Sequence, residues 1–154
     1  MTYTPAQLET VTQHYLIAAD WADKPEDTNP RTTKESKLIA REFCRDFIEA
    51  AENAGGLFTM AMNIEEYGYR AKRDGVAPND ACEAAFGHDI YLTCAGHGVG
   101  FWDRKELDAD GLGDALTAVV DSLQVAVADF YGGWMHITRW NRNTQTHYKG
   151  IKAG

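Results

Sequence analysis

The sequence predicts an α+β fold in which N-terminal helices precede a small antiparallel sheet. Three observations predict it. Apolar residues in the first half recur at helical spacing, the period changes to two after Gly87, and glycine pairs at 55–56 and 132–133 punctuate the chain. Of 154 residues, 44% are hydrophobic and 25% charged, enough apolar mass for one domain's core. One domain, 1–154, is expected, with a mostly helical part over 1–75 and a hairpin–helix–strand part over 76–154.

Thr4-Pro5-Ala6-Gln7 reads as a helix start, with Thr4 as N-cap, Pro5 at the first helical position and Gln7 closing a capping box. Leu8, Val11, Tyr15, Ala18 and Ala19 carry that helix to about residue 22. Asp23 to Thr33, with two prolines, reads as a loop. Over 34–54, Leu38, Ile39, Phe43, Phe47, Ile48 and Ala51 make one apolar helical face, and Gly55-Gly56 ends it. Residues 57–74 read as a further helix, and Asn79-Asp80 as the N-cap of a short one closed by Gly87. His88 to Cys94 then alternates as a strand, Ala95 to Gly98 makes a turn, and Val99 to Asp103 returns: a β-hairpin. A polar connection, 105–110, leads to the stripe Leu112, Ala115, Leu116, Val119, Val120 and Leu123, another helix. After Gly132-Gly133, Trp134 to Trp140 alternates as a strand, and Thr144 to Tyr148 is placed to pair back on it.

The N-terminus lacks the basic region and apolar run of a signal peptide, and no apolar stretch approaches the ~18 residues of a membrane span, so a cytoplasmic protein with no membrane partner is expected. Cys44, Cys82 and Cys94 are odd in number and lack CxxC spacing, which fits a reducing compartment. The net charge of −8 is uneven: residues 76–130 carry ten acids against Arg104 and Lys105, while residues 131–154 carry four bases and no acid. An acidic body repels nucleic acid; the basic end could touch phosphates.

The stretch GHDIYLTCAGHGVGFWDR, Gly87 to Arg104, concentrates the chemistry-bearing residues. As a strand it holds His88 and His97 more than about 25 Å apart, too far to share a metal. Cys94, facing with Ile90 and Leu92, reads as a small buried hydrophobe. Asp89 and Asp103, on opposite arms of the hairpin, could approach each other near its open end. The glycines at 96, 98 and 100 lead into a strand, not a helix, so they are no dinucleotide loop. Tyr91, Trp102, Trp134 and Trp140 could form an aromatic patch on the outer face of the sheet. No complete catalytic or cofactor motif is present, so neither an enzyme nor a cofactor is expected.

The same stretch resembles a segment of small bacteriophage and prophage proteins, close to GHDFWLTRNGHGxGFWDR, that precedes an amphipathic helix and a short strand. Gly87-His88-Asp89, Leu92-Thr93, Gly96-His97-Gly98 and Gly100-Phe101-Trp102-Asp103-Arg104 match, and the resemblance covers roughly residues 80–125. Ile90-Tyr91 and Cys94-Ala95 depart from it. The resemblance transfers no active site. It implies an accessory protein made in the cytoplasm of an infected bacterium.

From that context a non-enzymatic protein is expected, one that binds and inhibits a host defence complex of the CRISPR or restriction kind. Asp103, Asp108, Asp110, Asp114 and Asp121 would supply an acidic contact surface, with Trp102 and Tyr91 as anchors. The alternative is a phage nucleic-acid-binding protein using Arg139, Arg142, Lys149 and Lys152, with Trp140 and Tyr148 for stacking. A third reading is a small metal-dependent hydrolase using His88, His97 or His136 with an aspartate. Tyr67, Tyr69, Met60 and Met62 have no evident core role in the pattern and could serve a homodimer.

Overall fold

The computed structural model describes residues 3–96, 98–141 and 146–147. Helix α1, Pro5–Asp23, starts as its sequence requires: Gln7 N donates to Thr4 Oγ1 at 3.0 Å and Thr4 N to Gln7 Oε1 at 2.9 Å, so the capping box closes from both sides. A two-residue strand, β1 (Arg31–Thr32), interrupts the loop that follows. Helix α2, Lys34–Asn53, is capped by Thr33 and buries Ile39, Phe43, Phe47, Ile48 and Ala51, whereas Leu38 is exposed. Gly55 and Gly56 stop it with positive φ, a region closed to most side chains.

The continuous helix expected over 57–74 is replaced by three short pieces. These are α3 (Leu57–Met62), a 3-10 turn (Glu65–Gly68) and α4 (Tyr69–Arg73). The breaks let Tyr67 turn inward to 4% exposure, so the tyrosine without an expected core role is a core residue. Tyr69 and Met60 remain exposed.

Residues 88–103 are not a β-hairpin. Helix α5, Ala81–Ala95, runs straight through Gly87 and ends at Gly96 in the left-handed conformation; a 3-10 turn, Phe101–Asp103, follows. The physical reason is that every residue from Asp89 to Cys94 is buried. Ala84, Phe86, Gly87, Asp89, Ile90, Tyr91, Leu92, Thr93 and Cys94 are all buried, and a helix enclosed all round shows no period of 3.6. Gly87 is not a helix stop. A Cβ built there would lie 2.1 Å from Val11 O on α1, so glycine is what lets α1 and α5 cross backbone to backbone. Two 3-10 turns, Lys105–Leu107 and Ala109–Gly111, occupy the expected polar connection. Helix α6, Leu112–Ser122, follows and buries Leu112, Leu116, Val119 and Val120, the expected stripe.

Antiparallel strand pairing lies later in the chain. Strand β2, Val125–Tyr131, which the sequence pattern does not announce, pairs antiparallel with β3, Trp134–Asn141, around Gly132-Gly133. The strand expected at 134–140 is therefore present. The short β4, Thr146–His147, pairs with β3 antiparallel at Trp140 and Asn141, within the return expected over 144–148. Because β1 pairs with β3 in parallel, the sheet is mixed, not purely antiparallel; the class is nevertheless α+β.

The sheet packs by one face onto the helices. Ala126, Met135, Ile137 and Arg139 face the core, where Ile137 N donates to Ser36 Oγ of α2 at 2.8 Å. The free edge of β2 is closed by two tyrosines. Tyr15 OH donates to Ala126 O, and Tyr91 OH accepts from Ala128 N at 3.3 Å while donating to Asp23. Their rings meet edge to face at 5.2 Å. Satisfying an edge from within removes a template for pairing with other chains. Below the sheet, Phe47, Phe58, Phe86 and Phe101 form one aromatic cluster with centroids 5.1–5.8 Å apart.

Candidate functional site

The stretch from Gly87 to Arg104 folds as a buckle, a helix end and a 3-10 turn clamped together. Asp89, 1% exposed on α5, receives Arg104 from beyond the turn: Nε lies 3.0 and 3.1 Å from the two carboxylate oxygens, and Nη2 lies 2.6 Å from Oδ1. Tyr67 OH adds a third donor at 2.7 Å. Burial, then the adjacent Asp89 charge, hold the Tyr67 hydroxyl well above its ordinary pKa, so it remains a donor. Phe101 N donates to Thr93 Oγ1 at 3.2 Å, and Phe101 stacks parallel on Phe47. A Cβ on Gly100 would lie 2.4 Å from Thr93 Oγ1 and 2.5 Å from the Trp102 ring, so the turn is tight sterically. Asp89 therefore pairs with Arg104 and not with Asp103 across a hairpin.

What this buckle leaves at the surface is acidic. Trp102 is 39% exposed, and Asp103, Asp108, Asp110, Asp114 and Asp121 are all exposed. Asp114 and Asp121 are two helical turns apart on α6 and share a face. Arg104 is committed to Asp89, which leaves Lys105 as the sole exposed base between residues 103 and 129. Tyr91 does not belong to this surface. It is fully buried against Tyr15, because α5 is a helix and Tyr91 lies on the side packed against α1. The expected patch of Tyr91, Trp102, Trp134 and Trp140 does not assemble either. Trp134 and Trp140 share the outer face of β3, but Tyr91 is inside and Trp102 follows α5.

Arg139 is 6% exposed on the core face of β3, lies over the Phe43 ring at 5.1 Å, and bonds Glu42 at 3.3 Å and Asp46 at 3.0 Å. Two carboxylates and the core hold it, so it presents no cation to a phosphate. Trp140 is half-buried. Arg142, Tyr148, Lys149, Lys152 and His97 lie outside the described residues.

Sequence reasoning missed a cleft of about 520 Å³ between α1, α4 and α5. His14, Ile17 and Trp21 stand at i, i+3 and i+7 on α1 and form one wall; Arg70 and Ala71 of α4 and Asp74 at its C-cap line the cleft with them. Ala84, Ala85 and His88 of α5 line it with Val76, and the Tyr67–Asp89–Arg104 cluster closes its inner end. Trp21 is 70% exposed and tilts against the His88 ring at 5.6 Å. Burial lowers the pKa of both His14 and His88, opposed at His14 by Asp80 and at His88 chiefly by Asp89. Both rings are therefore neutral near pH 7. The one signal in the sequence was an apolar pair, Ile17 and Trp21, on a helix face the core does not use.

The remaining chemistry-bearing groups stand apart. Burial pushes the Cys44 thiol up, away from thiolate formation, and Cys94 is 4% exposed. His136 stacks under Tyr131 at 3.7 Å on the outer sheet face. Among the described residues no group of three or more His, Cys, Asp or Glu is placed to hold a metal ion, and no helix is long and apolar enough to cross a membrane.

Comparison with family models, curated proteins and solved structures finds no match for this chain.

Proposed function

We propose that the protein is a non-enzymatic binding protein that acts through its acidic ridge, and that its context is that of a bacteriophage accessory protein directed against a host defence complex. The observation that supports this reading is the ridge itself. Five exposed aspartates follow one another from Asp103 to Asp121 beside a half-exposed Trp102, and the chain's own arginine in that segment is withdrawn into the fold. Like charges carried close together in one surface segment repel each other, and a basic partner relieves that repulsion. A nucleic-acid-contacting groove on a host nuclease is such a partner, and Trp102 supplies an amphipathic anchor at its edge. The resemblance of Gly87 to Arg104 to phage proteins supplies the biological setting. Within that segment the Asp89–Arg104 ion pair joins two of the matching residues and ties α5 to the turn at which the aspartates begin.

The experiment is inhibition of purified CRISPR and restriction nucleases by the wild-type chain and by an Asp108→Lys/Asp114→Lys variant. These two positions are exposed, and neither has the positive φ that makes Asp110 a poor site for substitution. The reading expects one nuclease to be inhibited stoichiometrically by the wild type and at least about tenfold more weakly by the variant at unchanged circular dichroism. Equal inhibition by both would remove the ridge from the mechanism.

A further inference from the structure

The cleft between α1, α4 and α5 has no part in the acidic-ridge reading. Charge accounting decides what it would hold. Two guanidinium groups line it, and each has a carboxylate partner: Arg104 is held by the buried Asp89, and the half-exposed Arg70 is drawn to Glu106 at 3.3 Å. The remaining formal charge on the lining is the Asp74 carboxylate, exposed and without an ion-pair partner among the described residues. Facing it are the largely exposed Trp21 indole and two imidazoles, each with a nitrogen lone pair available to accept a hydrogen bond. An indole face, an unpaired carboxylate and neutral acceptors together disfavour an anion and favour an organic cation. An indole attracts a cation more strongly than other aromatic rings do.

We infer that this cleft is a binding site for a small organic cation, an ammonium or guanidinium group carrying an apolar body, with Trp21 as its aromatic face and Asp74 as its counter-charge. The apolar body would lie along Ile17, Ala71, Val76 and Ala85, which no core residue covers fully. A volume of about 520 Å³ admits a group of side-chain or small-metabolite size. The cation could be free or could be a lysine or arginine side chain of a larger molecule; the chemistry recognised is the same.

The probes are benzyltrimethylammonium, benzylamine and methylguanidinium, with benzyl alcohol as the uncharged comparison. They are titrated into the full chain while the indole N–H resonances are followed by NMR. The Trp21 resonance, assigned by its loss in Trp21→Ala, should shift saturably with at least one of the three cations. That cation should bind about tenfold or more tighter than benzyl alcohol. Asp74→Asn should weaken it about tenfold with circular dichroism unchanged, since Asp74 is exposed and makes no side-chain bond in the described structure. A lysine-containing and an arginine-containing tripeptide tested alongside separate a side-chain source from a free amine. Equal affinity for the charged and uncharged probes, or full affinity in Asp74→Asn, would overturn the inference, as would no saturable shift with any cation.

Discussion

Asp89 and Arg104 form a bidentate ion pair across fifteen residues of chain, with the carboxylate 1% exposed and the arginine side chain 16% exposed. The pair ties the end of α5 to the turn that presents Trp102 and starts the acidic ridge. The difference in burial makes its two halves unequal. Removing the arginine strands a carboxylate in the core, whereas removing the carboxylate leaves a guanidinium that still reaches the cleft and its water.

Arg104→Gln should therefore lower unfolding free energy by about 3–5 kcal/mol, the cost of an uncompensated buried charge. Asp89→Asn should cost less, because the amide keeps an acceptor for Tyr67 OH and the guanidinium remains partly solvated. Arg104→Lys should fall between them, since an ammonium cannot span both carboxylate oxygens as Nε and Nη2 do. Urea denaturation of the three variants checks the order. Losses below about 1 kcal/mol for Arg104→Gln would show that the pair orders the turn without stabilising it.

Gly87 gives a second test, one in which propensity and packing predict opposite signs. In an isolated helix, Gly→Ala gains about 1 kcal/mol. Here the added methyl would lie 2.1 Å from Val11 O and 3.0 Å from Tyr15 N, both backbone atoms of α1 that cannot move aside alone. Gly87→Ala should thus destabilise by at least about 1–3 kcal/mol, and the helices must separate to admit it. A lower urea midpoint checks this; a raised one would mean that α1 and α5 do not cross so closely.

The two outcomes at Gly87 also show which parts of the fold were legible in the sequence. Elements with one wet face were read correctly, because their polar residues mark the period: α1 with its capping box, most of α2, α6 and β3. Helix α5 has no wet face along most of its length, so Ile90, Leu92 and Cys94 alternate with Tyr91 and Thr93 as a strand would, though all are buried. Strand β2 failed for a related reason, since Val125 and Ala126 are both buried although they point to opposite faces. The aspartates of the ridge were legible because composition alone exposes them. The ion pair was not, because reading 88–103 as a hairpin hides the helix end and turn that bring Asp89 and Arg104 together; the cleft was not, because residues distant in sequence, such as His14, Asp74 and Arg104, line it together.

That crossing also half-buries two histidines, and their titration gives the last prediction. His14 and His88 have pKa values lowered from the ordinary ~6.5, in both cases first by burial. Asp80 opposes the shift at His14; at His88, Asp89 and Asp74 oppose it while Arg104 and His14 reinforce it. The unfolded chain thus takes up protons near pH 6.5 that the folded chain still refuses. Stability is fully present above that value and falls as pH drops through it, levelling off once the folded imidazoles are protonated as well. Between about pH 7.5 and 5.5, above the range of ordinary carboxylates, the wild type should lose stability, and a His14→Gln/His88→Gln variant should lose less. Subtracting the two profiles of urea midpoint cancels the other histidines. Cation binding should weaken at lower pH still, where the folded rings themselves take up protons and each adds a positive charge to the cleft wall. A wild type that becomes more stable on acidification in this window, or a variant with an identical profile, would show that neither ring is buried as the crossing of α1 and α5 requires.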